Sequence, residues 1–164
     1  MESIIYKIIR HLHQEMPELA TIDEDYGQLE NLTDERSDMY PLSFPAVLVE
    51  NTDIQWSDIS GRGQKGEATI RVRLIIDCYD DTHAGCQTED AVQQREDMRR
   101  RLHWILQGFR PMDDGSLVRH SSRFFTFKHG IKVYETTYAS VVTEASQQRR
   151  SDARPRVSID VATL

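Results

Sequence analysis

From Glu67 to Cys78 the chain alternates in character. Ala68, Ile70, Val72, Leu74, Ile76 and Cys78 carry apolar or weakly polar side chains, and Glu67, Thr69, Arg71, Arg73 and Asp77 stand between them. A period of two sustained over this length marks a β-strand with one buried face and one wetter face. Such a strand is unstable alone. It needs neighbours on its edges and a second layer over its apolar side.

The rest of the chain supplies both. Ile4, Ile5, Ile8, Ile9, Leu12 and Met16 recur at three- and four-residue steps, which predicts an amphipathic helix over 3–16, stopped at Pro17. Residues 44–50, FPAVLVE, read as a short strand with proline at its start. Residues 51–66, NTDIQWSDISGRGQKG, read as the extended loop of a hairpin joining that strand to the alternating one. A second helix is expected over 88–107, with Thr88 as its cap, Leu102, Ile105 and Leu106 inward, and Gly108 as its stop. Residues 117–127 and 131–143, rich in Phe, Tyr and Val around the His129-Gly130 turn, predict a closing hairpin. The expected fold is α+β in the order α-β-β-α-β-β. It has an antiparallel or mixed sheet of about four strands, with two helices packed on one face.

The 164 residues suit one such domain, placed at 1–143. Apolar residues are only 38%, so part of the chain is expected outside the core. Residues 18–43 read as an acidic loop insertion, a long connection with room for one short strand or turn, since the nine acids from Glu15 to Asp38 face only Arg36. Residues 144–164 read as a polar tail, with Val157, Ile159 and Val161 alternating as a short strand able to join another subunit's sheet. Residues 1–60 hold 13 acids and 3 bases, and residues 61–164 hold 14 acids and 17 bases. That asymmetry suits head-to-tail association, or simply soluble acidic loops. Two cysteines, no signal-peptide pattern and no membrane-length apolar run lead to an expected cytoplasmic protein.

No motif dictates a reaction. Asp80, Asp81 and His83 follow the long strand and are weak candidates for a metal site, between Cys78 and Cys86. The spacing fits no zinc pattern, and a core cysteine followed by a solvated turn is the plainer account. The stretch from Gly61 to Gly66 lacks the Ser/Thr and following helix of a phosphate-binding loop. Arg95, Arg99, Arg100 and Arg101 share their helix with Glu89, Asp90, Glu96 and Asp97, as in a solvated ion-paired face. The six histidines form no HExxH pair, and Ser57, Ser60 and Ser121 lack a nucleophile elbow. No catalytic residue and no cofactor is expected. Trp56, alone at a polar loop tip, is either an interface anchor or folded back on the sheet.

The order of elements carries a resemblance over roughly 4–143. Its features are the opening helix closed by MPEL, then FPAVLVENTDIQWSDIS before a glycine-rich tip, then EATIRVRLIIDCYDD. A helix ending LHWILQGF and an aromatic hairpin complete it. In these features the chain resembles the tail terminator (tail completion, minor tail) proteins of long-tailed phages and prophages. The resemblance implies a non-enzymatic ring subunit, commonly of a hexamer, that caps the tail tube, stops its polymerisation and docks to the head connector. DNA would pass through the lumen without specific binding, and the protein would end in the virion tail. Trp56, Arg62, Lys65, Arg149, Arg150, Val157 and Ile159 are the expected assembly contacts. The competing expectations are a metal-dependent hydrolase or nuclease built on Asp80, Asp81 and His83, and an adaptor binding one protein.

Overall fold

The computed structural model describes residues 2–33, 42–59, 63–79, 82–112 and 114–145. Helix α1 (Glu2–Glu15) is followed by strand β1 (Thr21–Glu24) and a 3-10 turn at Glu30–Thr33. Strands β2 (Ala46–Asp58) and β3 (Gly63–Asp77), helix α2 (Asp90–Leu106), and strands β4 (Val118–Phe127) and β5 (Ile131–Ala145) complete the order. The strands form one sheet in the order β1-β2-β3-β5-β4. All neighbours are antiparallel except β1, which runs parallel to β2 over Ala46–Val49. The architecture is α+β with a mixed sheet, as expected, but with five strands rather than about four.

The helices share one face. Ile4, Ile5, Ile8 and Leu12 of α1, Met16 just after it, and Leu102 and Leu106 of α2 pack on Val47, Val49, Ala68, Ile70, Val72, Leu74 and Tyr138. This cluster is the apolar side of the alternating strand, covered as its period requires. Thr88 is not the cap of α2. The N-cap position is Glu89, in helical geometry and without a side-chain cap bond, because a tight turn (Ala91 N–H to Thr88 carbonyl, 3.0 Å) already leads into the helix.

On the opposite face, the described parts of the segment expected to be an acidic loop insertion pack against the sheet. Within 18–43, β1 joins the sheet and Leu29 and Leu42 are buried. With Leu32 and Phe44 they pack on Ala46, Leu48, Ile75, Ile131 and Val133. The sheet is therefore sandwiched at this end. Leu29→Ala is expected to cost about 2–5 kcal/mol, the usual loss for a buried leucine. Urea unfolding would measure it, and a loss under about 1 kcal/mol would mean that the segment is a dispensable cover.

The expectation of a loop over 51–66 is also corrected. β2 and β3 stay paired out to Asp58 opposite Gln64, with one bulge between Asn51 and Asp53. The pattern hides this because the segment is polar on both faces. Its strands are held by backbone hydrogen bonds to their neighbours rather than by a buried side.

Candidate assembly surface

The lengths of the elements create the surface. β3 and β5 each have 15 residues and β2 has 13, so β3 spans about 50 Å at 3.3 Å per residue. α1, with 14 residues, spans only about 21 Å at 1.5 Å per residue. The helical layer and the second-face segment cover one end of the sheet. At the other, residues 52–58, 63–67 and 141–145 project as a three-stranded blade, most of whose residues are exposed.

Trp56 sits on this blade, not at a loop tip. It pairs across from Gly66 and remains 38% exposed. Its ring occupies the space that a side chain at Gly66 would need, 2.9 Å from the position of an added Cβ. The anchor and the fold-back readings therefore both describe it in part: the indole lies on the sheet, yet one side stays open. Ile59, just past the end of β2, is 48% exposed. Lys65 faces outward one residue before Gly66, its backbone carbonyl accepting from the Ser57 hydroxyl at 3.1 Å.

In the covered part of the sheet, away from the blade, an ion network ties the second-face segment down. Arg73 is 5% exposed. Its Nε donates to Asp25 Oδ2 at 2.6 Å, and Nη1 donates to Glu30 Oε1 at 2.6 Å. The Arg73 hydrogen bond holds the Glu30 carboxyl below its ordinary pKa. Arg71 pairs across the strands with Glu50. The acids of 18–43 are expected either to orient association or simply to keep the loops soluble. Two of them, Asp25 and Glu30, instead neutralise an arginine on the wetter face of the alternating strand. That face, with Arg71 and Arg73 opposite an acidic upstream segment, was the available signal.

The metal-site candidates do not assemble into a described site. Asp80 and Asp81 lie outside the described residues, and His83 is exposed in the turn before α2. Burial raises the pKa of the half-buried Cys78 thiol, which disfavours the thiolate a metal or nucleophilic role needs. Among the described residues no three His, Cys, Asp or Glu side chains converge as metal ligands. Under α2, His103 Nδ1 and Tyr138 Oη lie 3.1 Å apart. Burial lowers the His103 pKa and pushes Tyr138 up to about 12. A neutral imidazole accepting from a buried phenol satisfies both groups, a packing role that sequence spacing does not reveal. Of the expected assembly contacts, the structure describes Trp56 and Lys65 and brings both to the blade. Arg62, Arg149, Arg150, Val157 and Ile159 lie outside the described residues. Among the described residues no helix is long and apolar enough to cross a membrane.

No protein-family model matches the chain, and no curated protein matches it. Among solved structures the chain is similar to one described as "Virion of native gene transfer agent (GTA) particle". The two share 13% identity and a TM-score of 0.42, over 85% of this chain and 92% of that one. A likeness of this degree establishes neither family nor function.

Proposed function

We propose that this protein is a structural, non-enzymatic subunit that assembles into a ring on a phage-type tail tube, in the manner of a tail terminator. It caps the tube, stops its growth and offers a docking face to the head connector. The observation that carries the reading is the blade. Three paired strands extend beyond the layers that could bury them, with Trp56 and Ile59 exposed along it. An isolated monomer buries only part of such an extension, Val142 and some of Ile54 among it, whereas a neighbour that covers it recovers further apolar area and excludes water around the tryptophan.

The test is a polymerisation assay with purified tail tube protein. Added protein is expected to shorten the tubes and to sediment on their ends as a closed oligomer. The paired change Trp56→Ala, Ile59→Asp is expected to abolish both effects while leaving the thermal midpoint within a few degrees. Tubes of unchanged length, with the protein still monomeric by light scattering beside them, would defeat the proposal.

A further inference from the structure

The two outer edges of the sheet differ in charge. On one side, β1 pairs only with Ala46–Val49, so among the described residues the outer side of β2 has no strand partner after Val49. β2 carries Glu50, Asp53 and Asp58 and no basic residue, and β1 adds Asp23 and Glu24. On the other side lies β4, whose outer edge also has no strand partner among the described residues. β4 carries Arg119 and Arg123 and no acid. Glu50 and Arg123 are each paired inside the sheet, to Arg71 and Glu135. Asp53 and Arg119 keep the opposite signs of the two edges.

Open edges are ordinarily a liability, and charge is one of the means of blocking them. Here the charge blocks selectively. Two β2 edges brought together oppose acid to acid, and two β4 edges oppose base to base. Only β4 against β2 joins opposite signs, and that contact is heterologous, the kind that closes into a ring when the rotation between copies allows and otherwise runs on as a filament. Strand direction agrees. β2, β3, β5 and β4 are successively antiparallel, so β4 runs opposite to β2. A second copy placed alongside in the same orientation meets β4 with an antiparallel β2, and the alternation continues across the joint. β1 occupies the start of β2, so the incoming β4 is staggered toward the blade and seats against residues 52–58.

We infer that the basic edge of β4 in one copy pairs, antiparallel, with the acidic edge of β2 beyond the β1 contact in the next copy, so that the sheet continues from subunit to subunit. The inference rests on the proposed self-assembly and names its contact. Residues 121–127, past the bulge between Arg119 and Ser121, supply the regular ladder.

Charge reversal tests it. One variant carries Arg119→Glu and Arg123→Glu, and the other Asp53→Arg and Asp58→Arg. Each alone presents two like-charged edges and is expected to lose assembly on tube protein at least tenfold. An equimolar mixture is expected to recover it, because each variant's β4 then matches the other's β2, and recovery also shows that both are folded. Amides of 52–58 and 121–127 in the wild type are expected to gain exchange protection on assembly. If the wild type assembles but neither recovery nor edge protection occurs, edge pairing falls and the ring reading stands. If the wild type stays monomeric on tube protein, both fall.

Discussion

Replacing Arg73 with alanine is expected to lower stability by about 3–5 kcal/mol, the loss typical of breaking a buried ion pair from one side. The Asp25 side chain is only 3% exposed and has Arg73 as its cation. Without the guanidinium, a carboxylate stays in the interior with no compensating charge, and the β1 end of the second-face segment loses its clamp. Changing Asp25 to Asn in the same chain is expected to recover much of the loss, because it removes the stranded charge. Urea midpoints of the two variants would measure both effects. A loss under about 1 kcal/mol for Arg73→Ala would show that the segment is held by its leucines alone. The pH dependence follows from Glu30, whose folded pKa lies below the ordinary 4.5. A lowered carboxylate pKa stabilises the fold in full above pH 4.5, and that contribution is lost as pH falls through the lower folded value. In Arg73→Ala this acid-side loss is expected to flatten, since the bond that lowers the Glu30 pKa is gone.

Gly115→Ala is expected to cost about 3 kcal/mol, at the upper end for overpacking, because the obstacle is backbone. An added Cβ would stand 2.6 Å from the Val141 backbone nitrogen and closer still to its carbonyl oxygen. No side chain can rotate away to relieve that contact. The chain around Gly115 must lift off β5, which endangers the bond from Thr143 N–H to Asp114 Oδ2 at 3.0 Å. It also disturbs Leu117, which is fully buried and whose N–H bonds the Phe109 carbonyl at 2.7 Å. Lifting this cover opens the β5 edge where it extends past β4, so aggregation on heating is expected alongside the lower midpoint. Differential scanning calorimetry and exchange at the Thr143 amide would check it. An unchanged midpoint would mean that the loop does not sit on β5 in solution.

Much of the helix-bearing side of this protein is legible from residue order. The opening helix announces itself because six apolar residues recur along one face, and the structure places it within one residue of the expected bounds. The 131–143 strand is legible too, though it runs two residues longer; its apolar and aromatic residues pair as a hairpin with β4 around Gly130, at φ +75°. The second face is less legible. Leu29, Leu32, Leu42 and Phe44 are separated by polar residues and share no period, since they meet only where both described ends of the segment pack on the sheet. A signal did exist in the strands they cover. Ala46–Val49 and Leu74, Ile75 and Ile76 are unbroken apolar runs, as expected of strands buried on both faces. The blade left almost no trace, because a polar extended segment and a polar loop have the same composition.

What the residue order determined by itself is the set of elements whose hydrophobic period is local: two amphipathic helices, the alternating strand and the closing hairpin. What only the tertiary structure decided is which distant groups share a space. It brought Asp25 and Glu30 to Arg73, Trp56 to Gly66, and acids and bases to opposite edges of one sheet. The reason is physical. Periodicity reports a residue's relation to its own element, whereas ion pairing, close approach and edge exposure depend on strand order and register, which are settled by contacts between residues far apart in the chain.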